Sequence, residues 1–155
     1  MKLMEWLLEH RPGVATELDD RFEIQHHSGE HSTLFKSQQL RKERTSLSGL
    51  DDIYTSFDGA DLFSSTFKIA ADSEPKYIGK VRLVDNLEQF QQWVDELKVS
   101  FPEKVTPFMY QSGIGVYAIG ETSGKIYEWD DELEMLSDEF ENIEDVFSEW
   151  LDAVS

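Results

Sequence analysis

Carboxylates are the groups in this sequence best placed to do acid–base chemistry, and they crowd around one tryptophan. Glu128, Asp130, Asp131 and Glu132 flank Trp129. A glycosidase needs two carboxylates held a fixed distance apart across a sugar cleft. Nothing in the spacing sets such a distance, and a chain with 32 acids brings some of them together by chance. We therefore favour a binding surface here over the catalytic site of a carboxylate-dependent hydrolase.

The histidines are the next candidates, because imidazole is a common metal ligand. His10, His26, His27 and His31 fall within the first 31 residues. His26 and His27 are adjacent, so their side chains point to different faces of a helix or a strand. No carboxylate lies at a recognised ligand spacing and no HExxH motif occurs. We expect a surface or partly packed role for these histidines, with no metal and no cofactor.

The remaining motifs also favour structural interpretations. The acids between Asp51 and Asp61 do not follow the spacing of an EF-hand loop, and Asp58-Gly59 is typical of a turn. Gly113 and Gly115 do not belong to a GxGxxG motif, so they predict β-turns and close backbone approach. There is no GxSxG motif and no cysteine. We therefore expect a protein that is not an enzyme.

The first half of the chain predicts short elements. Leu3, Trp6, Leu7 and His10 fall on one helical face, and Pro12-Gly13 ends that helix. Residues 25–49 are polar and fit either a pair of strands or a loop before a helix. The other expected elements are a turn or helix over Ala15–Phe22, a turn at Asp58–Asp61, a strand edge or extended segment over Leu62–Ala70 and a strand over Tyr77–Val84.

The second half of the chain is more regular. A helix capped by Asp85 or Asn86, the latter with Gln89 in a weak capping box, ends at Phe101-Pro102. Another helix begins at the N-cap Asn142 and carries an apolar stripe wide enough to cover a sheet. Between them lies a predicted antiparallel meander of three strands, Pro107–Tyr110, Gly115–Ile119 and Lys125–Trp129. The fold class is therefore α+β, an antiparallel or mixed sheet flanked by helices in a single domain.

Charge limits the classes of partner. The chain has 155 residues, 32 acids and 14 bases, for a net charge of −18. Residues 121–155 carry 13 of the acids and one base. Such a chain repels nucleic acid and anionic membranes and favours a basic protein partner. The N-terminus does not resemble a signal peptide and no apolar run is long enough to cross a membrane, so we expect a cytoplasmic protein.

Two tryptophans have different expected roles. Trp150 belongs to the apolar stripe of the last helix and should pack in the core. Trp129 ends a strand among acids, so it is either a core residue or an exposed anchor in an interface, where aromatic residues are often hot spots.

Three stretches together resemble the SUKH superfamily. Asp52–Leu62 (DIYTSFDGADL) resembles the segment where a helix ends and a glycine-containing turn leads into the sheet. Ser112–Asp131 (SGIGVYAIGETSGKIYEWDD) resembles the central hairpin of the family. Glu139–Val154 (EFENIEDVFSEWLDAV) resembles its closing helix. The resemblance covers residues 50–154, while residues 1–49 look like a divergent or inserted N-terminal part.

The resemblance implies an α+β fold and a non-enzymatic binding function. SUKH domains include bacterial immunity proteins that bind and neutralise toxins, many of them nucleases. They also include regulators of cell-wall synthesis and a protein that contacts the secretion translocon. An immunity protein is thus the favoured function, and a regulatory protein-interaction module is the alternative.

A basic toxin would meet the densest acids of the chain. The predicted contacts are therefore acidic residues together with an aromatic anchor, Tyr127 or Trp129. The set is Tyr127, Glu128, Trp129, Asp130, Asp131, Glu132 and Glu134.

Overall fold

A computed structural model describes residues 3–37 and 49–154. Within these ranges the chain forms four helices and eleven strands. In chain order they are α1 (Leu3–His10), β1 (Gly13–Glu17), β2 (Arg21–His26), β3 (His31–Lys36), α2 (Asp51–Ser56), β4 (Phe57–Leu62), β5 (Phe67–Ile69), β6 (Lys76–Ile78), β7 (Val81–Val84), α3 (Leu87–Glu96), β8 (Val105–Gln111), β9 (Gly115–Gly120), β10 (Ile126–Asp130), β11 (Met135–Phe140) and α4 (Ile143–Val154).

Nine strands form one large sheet in the order β1-β2-β3-β4-β5-β8-β9-β10-β11. All of its pairings are antiparallel. Strands β6 and β7 form a separate two-stranded sheet. The predicted α+β class is confirmed, and the strands before residue 49 belong to the same sheet as those after it.

The helices pack on both faces of the large sheet. The ring of Phe67 in β5 lies 5.1 Å from Phe147 of α4. The next residue, Lys68, pairs with Tyr110 of β8, whose ring lies 5.7 Å from Trp93 of α3. Because successive strand residues point to opposite faces, α4 and α3 cover opposite faces. Helix α1 lies on the α4 face, where Trp6 contacts Phe147.

Helices α3 and α4 each begin directly after an asparagine N-cap. The side chain of Asn86 accepts a hydrogen bond from the Gln89 backbone N–H at 3.1 Å. Asn142 accepts one from the Asp145 N–H at 3.0 Å. These bonds satisfy donors that the helix itself leaves unpaired. Helix α3 ends at Glu96, earlier than predicted, and Lys98 then adopts a left-handed φ of 55°.

The helix alternative for Ala15–Phe22 is wrong, whereas a turn is found within this segment, between Leu18 and Arg21. Strand β1 pairs with β2, with Ala15 opposite Ile24, and the Leu18 N–H donates to the Arg21 carbonyl at 2.8 Å to close the hairpin. The segment has no apolar helical stripe, so the ladder of a hairpin satisfies its backbone better. For residues 25–49, the strand alternative is found as far as Lys36, and residues 38–48 lie outside the described ranges.

The expected turn at Asp58–Asp61 is also wrong, because these residues lie in β4, which is buried at all six positions. Gly59 has a φ of 92°, and a Cβ there would lie 3.0–3.1 Å from Val84 and Ala71 side-chain atoms. The glycine therefore allows close packing inside a strand. Similarly, Leu62–Ala70 contains the turn before β5, and Tyr77–Val84 is a hairpin around Gly79 rather than one strand.

The predicted meander is confirmed as β8, β9 and β10, and a fourth strand, β11, follows it. Sequence reasoning missed β11, whose residues MLSDEF are mostly exposed. It is an edge strand, and its acids discourage pairing with another chain.

Candidate functional site

All seven predicted contact residues lie on one hairpin, residues 126–140, which we name the acidic hairpin. It consists of β10, a tight turn and β11. Its side chains differ widely in exposure. Tyr127 and Trp129 are buried. Glu128, Asp130 and Asp131 are half-buried, and Glu132 and Glu134 are exposed.

The two aromatic residues are packed inside the protein. Tyr127 and Trp129 are each 5% exposed. The Tyr127 hydroxyl donates to Glu103 at 2.6 Å, and Trp129 adjoins a cavity of about 460 Å³ that Leu97 also lines. Neither ring is presented at the surface, which corrects the expectation of an aromatic anchor here. For Trp129 the core alternative is the one found.

Two of the predicted acids shape the hairpin. The Asp130 carboxylate accepts hydrogen bonds from the backbone N–H groups of Glu132 and Leu133 at 2.9 and 2.8 Å. Asp131 accepts one from the Tyr110 hydroxyl at 3.1 Å. Bonds donated by backbone N–H groups to the carboxylate of an aspartate two residues earlier, as at Asp130, are typical of turns. Asp130 and Asp131 therefore position the exposed tip of the acidic hairpin.

The tip presents apolar side chains between acids. Leu133 is 66% exposed and Met135 is 53% exposed, and they alternate with Glu132 and Glu134. Sequence reasoning missed both. The signal in the sequence was the alternation E-L-E-M over residues 132–135. It places large apolar side chains between acids, where burial in the core is not expected and exposure is. An apolar group ringed by charges is the composition of an interface anchor.

A second group of carboxylates lies at the base of the hairpin, on the α4 face. Glu128 is opposite Asp138 in the β10–β11 register. It accepts hydrogen bonds from the hydroxyls of Tyr117 and of Ser137, the latter at 2.6 Å. Burial, together with the charges of Asp138 and Glu128, raises the pKa of Glu149 in α4. Three like charges in this position would be stabilised by a basic side chain from a partner.

Among the described residues, most of the acids in this region have no basic partner. Within residues 3–37 and 49–154, two salt bridges involve the 13 acids of residues 121–155. Lys104 lies 3.7 Å from Glu121, and Lys125 lies 3.5 Å from Glu139. Within the described part of the chain, few basic side chains therefore offset the negative charge of the acidic hairpin and α4.

Glu103 holds the opposite end of the hairpin in place. Its carboxylate accepts hydrogen bonds from the backbone N–H groups of Thr122 and Ser123, both at 3.0 Å, and from the hydroxyls of Ser123 and Tyr127. The bond from the Ser123 hydroxyl contributes most, and together these bonds lower the pKa of Glu103 to about 2. The turn between β9 and β10 is thus fixed by a residue outside both strands.

The histidines do not converge. His26 is buried, with Nε2 2.8 Å from Ser32 Oγ and Nδ1 2.5 Å from the Arg11 carbonyl oxygen, whereas His27 and His31 are exposed. Ser32 is fully buried and its oxygen also accepts the Phe63 N–H at 3.0 Å, so this serine–histidine pair is structural. The described residues include no group of three side chains that could hold a metal ion.

The other singled-out residues have structural roles. Asp58 accepts hydrogen bonds from Asp72 and Ser73 and lies 3.0 Å from Lys76 Nζ. A Cβ at Gly115 would lie 2.0 Å from the Trp129 carbonyl oxygen, so close backbone approach is confirmed there. Trp150 is half-buried, and its ring stacks on Phe63 at 4.6 Å.

A groove on the α3 face was not predicted from the sequence. Its volume is about 350 Å³, and it lies between the β6–β7 hairpin, α3 and strands β5 and β8. Aromatic and aliphatic side chains line most of it, with Lys68, Arg82 and Asp85 as its charged residues. One signal was available, since residues 75–84 carry three bases and no acid in an otherwise acidic chain.

The chain matches no protein-family profile, no curated protein and no solved structure. Among the helices in residues 3–37 and 49–154, none has the length and apolar character needed to cross a membrane.

Proposed function

We propose that this protein is a non-enzymatic, cytoplasmic binding protein that neutralises a cognate bacterial toxin, in the manner of an immunity protein. The observation that carries the proposal is the high density of carboxylates on the acidic hairpin and α4, few of which pair with a base in the described part of the chain. Only two ion pairs among the described residues offset the 13 acids of residues 121–155. A concentrated negative surface of this kind suits a basic partner.

A nuclease toxin is the partner class that best fits this surface. Nucleases bind phosphate, so their active sites are commonly lined by Lys and Arg. Carboxylates spaced along a hairpin imitate a row of phosphates, which speeds association and blocks access of the substrate. The cluster of Glu128, Asp138 and Glu149 would receive one basic side chain from the toxin.

The exposed tip supplies the apolar part of the interface. Leu133 and Met135 project among the acids and are the candidates for burial against the toxin. A few well-packed residues near the centre of an interface contribute most of its stability, whereas the surrounding charges mainly govern the association rate. Leu133 and Met135 thus replace Tyr127 and Trp129 as proposed anchors.

The resemblance of residues 52–62, 112–131 and 139–154 to SUKH domains supports the same proposal. The second of these stretches ends in the acidic hairpin, and the third begins at the last residues of the hairpin and includes α4. The family resemblance and the charge distribution therefore implicate the same part of the chain.

The test is co-expression with the toxin encoded beside the gene, followed by binding kinetics with the purified pair. Two variants probe the site, E132Q/E134Q for charge and L133S for the anchor. The matched controls are E88Q/E96Q, which removes two exposed charges from α3, and V14S, because Val14 is 63% exposed on β1.

We expect E132Q/E134Q to slow association and to reduce its salt dependence, and L133S to speed dissociation at least tenfold, about 1.4 kcal/mol. The controls should behave like the parent protein. Equal effects of site and control variants would contradict the proposed surface. Failure to protect against any neighbouring toxin, with a housekeeping protein bound instead, would favour the regulatory module.

A further inference from the structure

The groove on the α3 face is a separate feature from the acidic hairpin. Its lining comes from β5, β7, α3, β8 and residues adjoining them, and none of its lining residues belongs to residues 126–140. Its volume, about 350 Å³, is within the range of small-molecule sites, which are mostly apolar with a few placed polar groups.

Aromatic rings form an angled wall in this groove. Phe90 and Trp93 stack with their centroids 5.7 Å apart and their planes at 22°. Tyr110 meets Trp93 edge-on at 5.7 Å and 75°. Trp93 is 37% exposed, so part of its indole is available to a ligand. Leu83 and Val84 complete an apolar lining that suits a flat ring system.

The two cations at the groove retain hydrogen-bonding capacity. Lys68 Nζ is 3.8 Å from Asp61, whose carboxylate already accepts the Ser65 N–H and hydroxyl at 2.8 Å each. Arg82 donates from Nε to Asp85 at 2.9 Å and from Nη2 to Gln89. Because a guanidinium has five N–H donors and an ammonium three, both cations have donors left for an anion.

The local charge also differs from that of the rest of the molecule. Residues 75–84, which contain both strands of the hairpin beside the groove, carry Lys76, Lys80 and Arg82 and no acid. The acidic hairpin meets the groove through Asp131, which accepts the Tyr110 hydroxyl at 3.1 Å, and its more remote charges are screened over about 8 Å at ordinary ionic strength. The charges nearest to an acid group in the groove are those of Lys68 and Arg82, which are offset by Asp61, Asp85 and Asp131.

We infer that this groove binds a small organic anion, a molecule with a flat apolar ring system and one acid group. The ring would pack on Trp93 and Tyr110, and the acid group would accept hydrogen bonds from Lys68 and Arg82. Such charge-assisted bonds are about twice as strong as neutral ones. The site is independent of the proposed toxin-binding surface.

The test uses two dyes of similar shape, anilinonaphthalene sulfonate as the anionic probe and N-phenyl-1-naphthylamine as the neutral one. Fluorescence titration of the full chain gives their affinities, stoichiometries and salt dependence. The variants are K68Q, R82Q and W93A, and the control is K80Q, which removes an exposed charge from the same hairpin outside the groove. Thermal unfolding verifies that each variant is folded.

We expect the anionic dye to bind with one-to-one stoichiometry and to lose about tenfold in affinity in K68Q and in R82Q, but less than twofold in K80Q. W93A should weaken both dyes. The inference is overturned if the neutral dye binds as tightly as the anionic one, or if K68Q and R82Q leave the anionic dye unaffected. Binding of the dye by several weak sites, or self-association of the chain in place of dye binding, would overturn it equally.

Discussion

Glu103 shows how one side chain can fix a turn that is distant in sequence. Its carboxylate collects four hydrogen bonds from Thr122, Ser123 and Tyr127. These bonds favour the ionised form, so the pKa of Glu103 falls to about 2 in the folded protein, against about 4.5 when unfolded. The stabilisation is therefore complete above pH 4.5 and is lost as the pH falls towards 2.

We predict that E103Q lowers stability at pH 7 and flattens the dependence of stability on pH between 4.5 and 2. The amide removes the charge that the four donors recognise, and with it the titration. Urea unfolding at a series of pH values measures both effects. E96Q, a change at an exposed position at the end of α3, should preserve the parent slope. A slope in E103Q as steep as that of the parent would refute this role.

Glu103 stabilises the fold in its charged form, whereas His26 does so in its neutral form. Burial lowers its pKa below the usual 6.5. In the simplest arrangement Nδ1–H donates to the Arg11 carbonyl and Nε2 accepts from Ser32, whose oxygen also accepts from Phe63. Protonation of Nε2 would leave the Ser32 hydroxyl without an acceptor. Stability is thus complete above pH 6.5 and falls as the pH drops below that value.

The expected loss is at most about 1.4 kcal/mol for each pH unit below 6.5, until the lower folded pKa is reached. H26Q should remove this part of the pH dependence, whereas H27Q, at the exposed neighbouring position, should retain it. Chemical unfolding between pH 7.5 and 5.5 distinguishes them. Parallel curves for the parent and H26Q would rule the mechanism out.

Local residue roles could be predicted from the sequence, and non-local ones could not. Asn86 and Asn142 were recognisable as caps, because a cap bonds to a backbone N–H three residues on. Asp58 looked like a turn residue. Its hydrogen-bond partners, Asp72 and Ser73, are 14 and 15 residues away, and only the folded chain brings them together.

At the scale of elements, α4 carries much of the packing on its face of the sheet. Phe147 is fully buried between Trp6 of α1, at 5.7 Å, and Phe67 of β5, at 5.1 Å. We predict that F147A lowers the free energy of unfolding by about 3–5 kcal/mol, through lost burial and the cavity left behind. V154A is the control, since Val154 is 46% exposed on the same stripe, and should cost about 0.5 kcal/mol or less.

Equilibrium denaturation of both variants measures this difference. A loss below about 1.5 kcal/mol in F147A would mean that α4 contributes little to the fold. That result would also weaken the proposed interface, which relies on Glu149 being held beside Glu128 and Asp138.

Elements with strong periodicity were predictable, whereas those with an unusual environment were not. The apolar spacing of α3 and α4 and the glycine turns of β8–β10 are local patterns. Strand β4 is buried throughout although it contains two aspartates, and β11 is an edge strand rich in acids. Each contradicts the ordinary composition of a strand. The groove was hidden for another reason, because several separate elements contribute to its lining.

At the scale of the whole molecule, charge is separated along the sheet. The acidic hairpin lies at the β11 end of the large sheet, whereas the groove lies over β5 and β8, beside a hairpin with three bases. The sequence showed the uneven charge along the chain but not its placement. The predicted contact acids lie on one hairpin. The burial of Tyr127 and Trp129 could not be predicted, because it depends on the sheet face opposite to that of Glu128 being covered.

The strand order has a consequence for how the chain folds. Seven of the eight junctions in the large sheet join strands that are consecutive in the chain, and the exception is β5–β8, where Ile69 pairs with Met109. Each consecutive hairpin closes with a small loss of chain entropy, so the sheet can grow outward by zippering. To form the β5–β8 junction, the chain must instead close a long loop that contains the β6–β7 hairpin and α3. Formation of this one pairing therefore sets the topological barrier to folding. It joins two parts of the sheet, β1–β5 and β8–β11, in which every neighbouring pair of strands is consecutive in the chain.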